Sequence, residues 1–408
     1  MGVAGIRMWL RGLMLGAAIG CISAAFALSP AGIALEEGLG LPLLFAIRGR
    51  VPPPPDVAVV AINQRAAEAL DLPPQPRNWP RSVHGELIDT LVAHGASAIV
   101  FDLRFEKRRD ARDGSDGSDG SDNSGEDEAF AAAVERANRV VLLEHMDKRL
   151  ELFAIDEGGA TATAEADRAM RPVEPLAQAA TVVAPFLLRK TAGNVNQFWA
   201  FWPGDGPVAT VPTAALWLHA LRTDRNAVRP IQALVAGEQR RLPAAAGGDG
   251  AIPVREMLRR ARQGLAGRSD IVAALEAGGD AAKRPPASIL TRRLAALFAG
   301  PDMRYLNFYG PSGTIPVIGY DVLIAAARAG MPAAIRLDGR CVFVGVADYT
   351  TPTQDDGFAT VFTGADGIDL SGVEIAATAF ANLLTDSLLR PLAPLTSAAM
   401  LQIGRAHV

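Results

Sequence analysis

Continuous apolar runs alternate with helical patterns along most of the chain. The runs are rich in β-branched residues and contain no regular polar positions, which is typical of strands covered on both faces. We therefore predict an α/β fold with a mainly parallel sheet and helices on both faces. The predicted strands are Val57–Ile62, Ala98–Phe101, Val140–Leu143, Tyr305–Phe308 and Cys341–Val344.

Apolar residues at helical spacing fill the intervals between the first strands. One pattern runs from Ser82, a predicted N-cap, to Gly95, a predicted C-terminal stop. A second follows the acidic start Glu126–Glu128, which suits the positive end of a helix dipole, and places Phe130 and Val134 on one face. The resulting order of strand, helix, strand, helix and strand predicts a right-handed α/β unit.

Two stretches interrupt this order. Residues 110–126 are of low complexity, with a Gly-Ser-Asp repeat whose composition cannot bury enough apolar surface to offset chain entropy. Evenly spaced aspartates could bind calcium, but the nonapeptide glycine pattern of calcium-binding repeats is missing, so we favour a solvated linker. Residues 227–286 are rich in Ala, Gly and Arg, and we expect helices and loops that form an excursion on one side of the sheet.

An apolar segment near the N-terminus has the length of a membrane span. No acidic, basic or histidine side chain occurs between Arg11 and Glu36, and about 20 apolar residues cross a bilayer as a helix. Arginines precede the segment and glutamates follow it, so the positive-inside rule places residues 1–12 in the cytoplasm, 13–35 in the membrane and the rest outside. A cleavable signal peptide is the alternative, because Ala25-Phe26-Ala27 resembles a cleavage site.

A second apolar run begins near the C-terminus. Residues 393–402 are too few to cross a bilayer, and we expect them to be the start of a second transmembrane helix. The final residues, 403–408, can be encoded by a nucleotide sequence that matches a common sequencing adapter. We therefore expect them to be non-native and exclude them from the reasoning.

Composition and charge narrow the class of protein. The 408 residues are 49% hydrophobic and carry a formal charge of −4, with a pI of about 5.8. A protein that binds DNA or RNA normally presents a basic surface, so we expect no nucleic-acid partner. Two cysteines, far apart in the chain, give no disulfide framework and no metal or redox pair.

Polar residues that directly follow predicted strands are candidates for ligand binding, because ligands of open α/β sheets favour the crevice beyond the carboxyl ends of the strands. A tryptophan and an arginine after the first strand could also present an aromatic face and a guanidinium to an anion. For Asp102, and for the Trp79–Arg81 segment, a structural role in capping a loop or covering the sheet edge is the favoured alternative. The candidates are Asn63, Trp79, Arg81, Asp102, Glu144 and Asp348.

The sequence contains no motif for catalysis, a cofactor or a metal. Gly310–Thr314 lacks the lysine and the spacing of a P-loop and is predicted to be a turn. Neither G-x-S-x-G nor H-E-x-x-H occurs. We expect no metal, no cofactor and no enzymatic activity in this part of the protein. Four aspartates could gather a divalent cation, but without a loop spacing for it we favour a solvated loop: Asp355, Asp356, Asp366 and Asp369.

Several motifs in a fixed order resemble a CHASE type 2 domain, a sensory extracellular domain associated with cyclases and histidine kinases. The resemblance covers about residues 37–392, and we take 36–392 as the domain. Asn63 stands where the family usually has Asp, and the Gly-Ser-Asp insertion is unusual. The motifs are Val57–Ile62, Asn78–Arg81, Ala96–Asp102, Asn307–Pro311, Gly339–Gly345, Ser371–Ala377 and Asn382–Leu384.

The resemblance implies an extracytoplasmic input domain at the cytoplasmic membrane, followed by transmembrane helices and a cytoplasmic cyclase or kinase. It also implies a homodimer that responds to a small-molecule or protein ligand. We expect Glu36–Arg50 and Gly372–Leu392 to transmit the signal. A membrane-tethered hydrolase or binding protein without a signalling role is the alternative, and a purely structural scaffold is a third hypothesis.

Overall fold

A mostly parallel sheet forms the centre of the protein, as predicted, in a mixed α/β architecture. The structure is a computed structural model. It describes residues 14–390 apart from 17, 24, 110–124, 155–160, 192, 205, 240–252, 277–287, 331–335, 349–355 and 364–367. The Gly-Ser-Asp repeat and the C-terminal apolar run therefore lie outside the described residues.

The strands of the described residues fall into one large sheet and three small ones. They are β1 (Val57–Ile62), β2 (Ala98–Asp102), β3 (Val140–Ala154), β4 (Thr161–Met170), β5 (Val182–Pro185), β6 (Leu188–Thr191), β7 (Asn194–Trp199), β8 (Phe201–Trp202), β9 (Val208–Ala209), β10 (Met303–Tyr305), β11 (Val317–Gly319), β12 (Cys341–Val346), β13 (Gly357–Phe358) and β14 (Leu370–Ser371).

The helices lie between these strands and at the N-terminus. They are α1 (Met14–Ala27), α2 (Pro30–Arg48), α3 (Gln64–Ala69), α4 (Arg81–Ala93), α5 (Glu126–Ala137), α6 (Glu174–Ala179), α7 (Val211–Thr223), α8 (Arg225–Gln239), α9 (Val254–Leu265), α10 (Ser269–Glu276), α11 (Ile289–Ala299), α12 (Tyr320–Arg328) and α13 (Gly372–Thr385).

The large sheet has the order β11-β1-β12-β2-β3, with β3 pairing β5 along its first half and β4 along its second. Every pair is parallel except β3 with β4. Strand β12, which comes late in the sequence, therefore lies between β1 and β2, with Gly345 opposite both Ala61 and Asp102. This insertion brings the carboxyl ends of three strands from distant parts of the chain together.

Both faces of the sheet are covered, and the alternation of side chains along β1 explains how. Val57, Val59 and Ala61 belong to one hydrophobic core, which includes residues of α7–α9, α11 and α13. Ala58 and Val60 belong to the other, which includes residues of α3–α5 and α12. A strand between two cores needs apolar residues at every position, which is the pattern that predicted it. In the predicted 227–286 excursion, the described segments are helices on the first of these faces.

Two local predictions are wrong. Residues 306–308 form no strand: only Tyr305 of that run is in a strand, β10, which pairs antiparallel with β7 outside the large sheet. Leu306 and Phe308 are apolar and buried, and burial alone does not make a strand. Ser82 does not cap α4, which begins at Arg81 after Pro80, and the Arg81 amide donates instead to Glu126 of α5 at 3.0 Å. Gly95 does end that helix, with φ of +80°.

The N-terminal helices carry the exposed apolar surface. By length and composition, helix α2 could cross a membrane, and α1 is a shorter apolar helix. The predicted span, 13–35, covers α1 and the first turns of α2. Beyond it, α2 has one face against the folded domain, at Glu37 and Phe45, and the opposite face in the open, where Ile47 is 76% exposed. The second half of α2 is therefore a packed element of the domain.

Candidate functional site

The carboxyl ends of β1, β12 and β2 lie side by side at one edge of the sheet. The chain leaves β1 and β2 towards helices on one face, whereas it leaves β12 towards α13 on the other face. A crevice opens where neighbouring strands connect to opposite faces, and ligands of such folds bind there. Three of the predicted residues lie at this edge: Asn63 directly follows β1, Asp102 ends β2, and Asp348 is two residues beyond β12.

Asp102 forms a carboxylate pair with Asp356, a residue that the sequence interpretation had assigned to a solvated loop. Burial raises the pKa of Asp102, and the charge of Asp356 raises it further. Burial also raises the pKa of Asp356, while the amide of Gly372 and the positive charge of Arg104 oppose part of that rise. Two carboxyl groups held in one poorly solvated place cannot both ionise cheaply, so the pair retains a proton at a pH where an exposed aspartate has lost it.

Two glycines allow the pair to sit against the N-terminus of α13. A Cβ added at Gly345 would lie 2.8 Å from the Cβ of Val373 and 3.2 Å from that of Asp102. A Cβ added at Gly372 would lie 2.6 Å from Oδ2 of Asp356. Real Cβ atoms essentially never come as close as 2.8 or 2.6 Å to such neighbours. The first turn of α13 therefore rests on β12 beside the two carboxylates.

A capping box fixes the same end of α13. The Ser371 hydroxyl accepts a hydrogen bond from the Glu374 amide at 3.4 Å, and the Glu374 carboxylate accepts one from the Ser371 amide at 3.3 Å. Glu374 also accepts hydrogen bonds from the Gly313 amide at 2.7 Å and the Ser312 hydroxyl at 2.9 Å. The Gly310–Thr314 segment is thus a turn, as predicted, and its polar groups bind a carboxylate of the protein.

The other predicted residues are engaged in structural contacts. Asn63 caps α3 by accepting a hydrogen bond from the Ala66 amide at 3.0 Å. Glu144 is buried and pairs with Arg255 at 3.2 Å and with Arg171 at 3.6 Å, which ties β3 to α9. The partners of Asn63 and Glu144 described here do not include Asp102 or Asp356.

Trp79 and Arg81 lie in the interior, where the exposed fractions of 0% and 2% leave no surface for a ligand. The Trp79 indole donates to the Pro73 carbonyl at 2.7 Å. Arg81 pairs with the buried Asp127 at 3.2 Å, and its guanidinium lies 4.6 Å from the centre of the Phe105 ring. The geometry therefore favours the structural alternative for this segment.

A second cluster, which the sequence did not predict as a unit, joins the two ends of the domain. We call it the junction: Arg48 at the end of α2, Asn307 and Phe308 after β10, Asn382 in α13 and Ser387 beyond it. Arg48 donates to the side-chain oxygen of Asn307 and to the Phe308 carbonyl. The side-chain nitrogen of Asn307 donates a hydrogen bond to the Ser387 carbonyl at 2.7 Å.

Asn382 completes the junction from the side of α13. Its side-chain oxygen accepts from the Asn307 backbone amide at 2.8 Å, and its side-chain nitrogen donates to the Asn307 carbonyl at 3.0 Å. Asn382 is fully buried in the last turn of a mostly apolar helix. The Asn382 side chain thus pairs with both the backbone amide and the backbone carbonyl of Asn307. Such a pairing fixes the position of α13 relative to the Asn307 segment. Asn307 and Asn382 were noted only as parts of motifs, and their pairing was not visible in the sequence.

No metal centre is found among the described residues, where no group of three or more His, Cys, Asp or Glu side chains could hold an ion. Asp355 and Asp366 lie outside those residues. Within them, Asp369 accepts a hydrogen bond from Thr363 at 3.0 Å. A groove between α4, α5 and α12 is lined mostly by small side chains, among them Gly85 and Ala133, and by none of the predicted site residues.

These features define an open α/β domain, wound on both faces of its sheet, with an apolar N-terminal helix packed against it. The chain belongs to the CHASE2 domain family, whose model matches residues 20–404. CHASE2 domains are extracellular sensory domains, so the predicted resemblance is confirmed and the chain has a sensory input role. No curated protein and no solved structure matches the chain.

Proposed function

We propose that this chain is the input domain of a transmembrane receptor and passes a change in its folded domain to a cytoplasmic output domain of the cyclase or kinase type. It acts by changing conformation, with no catalytic step of its own, and as a homodimer in the cytoplasmic membrane. The observation that carries the proposal is the junction, in which the segment that enters the domain and the segment that leaves it bind the same residue, Asn307.

The placement of charges supports an extracytoplasmic domain. Arg7 and Arg11 precede the apolar segment, and Glu36 and Glu37 follow it, which is the asymmetry of a helix with its N-terminus in the cytoplasm. Glu37 and Arg48 bond to the folded domain, so α2 beyond residue 35 belongs outside the lipid. The membrane anchor is then the apolar segment before Glu36.

A ligand shifts such a receptor only by the difference in its affinity for two arrangements. The crevice at Asp102 and Asp356 is the place where this fold binds ligands, and α13 runs from that crevice to the junction. A molecule that binds the crevice and displaces the first turn of α13 would move Asn382, and with it the contact to Arg48.

The test joins the full chain, through the transmembrane helices of a known receptor, to a reporter cyclase and compares single substitutions. Asn307→Ala removes the side chain that both segments bind, and we expect basal output to change at least threefold. Asn226→Ala, on the exposed start of α8, is the matched control and should leave output unchanged. Unchanged output for Asn307→Ala in a protein with a wild-type melting temperature would contradict the proposal.

One observation favours the alternative of a membrane-tethered hydrolase. A carboxyl pair that shares a proton is suited to general acid–base chemistry, and Asp102 and Asp356 form such a pair in a crevice. Purified chain would be assayed with ester, phosphate and glycoside substrates. Turnover that disappears in Asp102→Asn would establish the hydrolase, and its absence from wild-type protein would leave the receptor as the supported function.

A further inference from the structure

The chain leaves the folded domain next to the residues that follow β10. The Ser387 carbonyl accepts a hydrogen bond from the Asn307 side chain at 2.7 Å. Two residues later, Leu389 forms an antiparallel bridge with Tyr305. Such a bridge holds the Cα atoms of its two residues about 5 Å apart. The exit segment, residues 387–389, therefore lies against Tyr305 and Asn307 and runs in the opposite direction to them.

The same two residues also bind α2, at two different levels of that helix. The Tyr305 hydroxyl donates a hydrogen bond to the carboxylate of Glu37, and the Asn307 side chain accepts one from Arg48, about three helical turns further along α2. The direction from Tyr305 to Asn307 is therefore that of α2. Because the exit segment is antiparallel to these residues, it is also antiparallel to α2 and runs from the level of Arg48 back to the level of Glu37.

Both apolar segments of the sequence meet the domain at the level of Glu37. A pair of glutamates that ends at Glu37 follows the N-terminal apolar segment, and Arg390 is the last charged residue before 391–402, a run without an ionisable side chain. Leu389, next to Arg390, is separated from Glu37 by one side chain, that of Tyr305. A separation of one large side chain is typical of packed helices, whose axes lie about 8–10 Å apart.

The face of α2 that continues from Glu37 towards the N-terminus is open in the part of the chain that the structure describes. Ile33 lies one helical turn before Glu37 and about 40° around the helix from it. Ile33 is 43% exposed, whereas Glu37 is buried, so the folded domain covers this face only as far as Glu37. Lipid or protein can cover an apolar helix face in a membrane. The exit segment is a protein segment that already points along this face.

We propose that residues 391–402 pack against the N-terminal half of α2, on the side of Ile33 and antiparallel to it, so that the two apolar segments of one chain form a helix pair next to the folded domain. The inference rests on the proposed receptor function, because it takes both segments to lie in the membrane. The run 391–402 contains Ala393, Ser397 and Ala398, and small side chains let helices approach closely in lipid.

Disulfide formation in the full chain, held in lipid membranes, tests the helix pair. A disulfide requires the two Cα atoms to come within about 7 Å of each other. Each variant carries Cys21→Ser and one cysteine on α2, either Ile33→Cys or the matched control Leu35→Cys. Leu35 is also apolar and exposed, but it lies about 160° around the helix from Ile33. The second cysteine of each variant is introduced in the C-terminal run, by Leu392→Cys, Leu395→Cys or Ala399→Cys.

A protease site placed in the Gly-Ser-Asp repeat distinguishes a link within one chain from a link between two chains. Before cleavage, a link between chains gives a product of twice the mass. When that product is absent, halves that stay joined after cleavage report a link within one chain, and reductant should separate them. The native Cys341 is buried and stays in place. Circular dichroism establishes that each variant is folded, and the three positions in the C-terminal run keep the test independent of any single substitution.

We expect a link within one chain for Ile33→Cys with at least one of the three partners, at a yield on the order of fivefold above that of Leu35→Cys, because the control points away from the pair. Equal yields for Ile33→Cys and Leu35→Cys would overturn the helix pair, as would no link for any partner. Links that form mainly between chains would also overturn it, because a second copy would then cover this face of α2.

The reporter cyclase separates this inference from the receptor function. A link within one chain, together with altered output of Asn307→Ala, supports both. The same link with unchanged output supports the helix pair and counts against the receptor. Without the link the helix pair is overturned, whatever the output of the Asn307→Ala variant shows about the receptor.

Discussion

Replacement of Asp102 by asparagine should change how the stability of the domain depends on pH. In the unfolded chain this carboxyl ionises with a pKa of about 3.9, whereas burial and the neighbouring Asp356 raise its pKa in the folded protein. Between the two pKa values the folded state holds a proton that the unfolded state has lost. The free energy of unfolding therefore falls as pH rises through this interval, by up to about 1.4 kcal/mol per pH unit for one such group.

The asparagine variant has no proton to lose at this position, so its stability should fall less between pH 5 and pH 8. Asp102 is partly exposed, which limits the effect of its raised pKa on stability, so we expect the variant to gain about 1–3 kcal/mol on wild type over that range. Urea unfolding followed by tryptophan fluorescence measures the difference. Asp71→Asn, at an exposed position, is the control and should parallel wild type. If Asp102→Asn also parallels wild type, the carboxylate pair does not share a proton.

Three further predictions follow from packing and placement. Gly345→Ala forces a Cβ into α13 and should cost about 1–3 kcal/mol in urea unfolding, whereas Gly85→Ala, whose new Cβ has ordinary contact, should be neutral or stabilising. Asp127→Ala leaves a buried arginine unpaired and should cost about 3–5 kcal/mol, against less than about 1 kcal/mol for Asp89→Ala in an exposed ion pair. In intact cells, a membrane-impermeant maleimide should label Asn226→Cys without lysis. Labelling only after lysis would show that the folded domain lies in the cytoplasm.

The sequence predicted the elements whose surroundings are uniform. Strand β1 has exactly the predicted bounds, because a strand between two cores must be apolar throughout. Strand β11, with three residues, has too few positions to show a pattern, and its place beside β1 is set by pairing with a distant segment. The Tyr305–Phe308 run gave the opposite error. Leu306 and Phe308 are buried, Phe308 against Phe45 of α2, and hydrophobicity alone does not distinguish a buried connection from a strand.

The sequence predicted where the candidate site lies in the fold, but only part of the set of residues that form it. The rule about carboxyl ends of strands led to Asp102. Asp356 was missed because it follows no strand and reaches the crevice through the position of α13. The signal that could have found it is the pair of glycines at Gly345 and Gly372, which mark close approach of backbone elements. Trp79 and Arg81 were predicted as ligand-binding residues but are buried in the core. The sequence does not show that Arg81 has a buried partner, Asp127, inside the protein.

Helix α13 connects the Asp102–Asp356 carboxylate pair with the junction. Its first turn rests on Gly345 beside the carboxylates, and Asn382, in its last turn, binds Asn307. The helix is about 20 Å long and almost entirely buried, so it moves as a rigid body within a packed core. If the chain is a receptor, as proposed, a displacement of the first turn of α13 would be transmitted to Asn382. Because Asn307 binds Arg48 as well, such a displacement would reach the C-terminal end of α2.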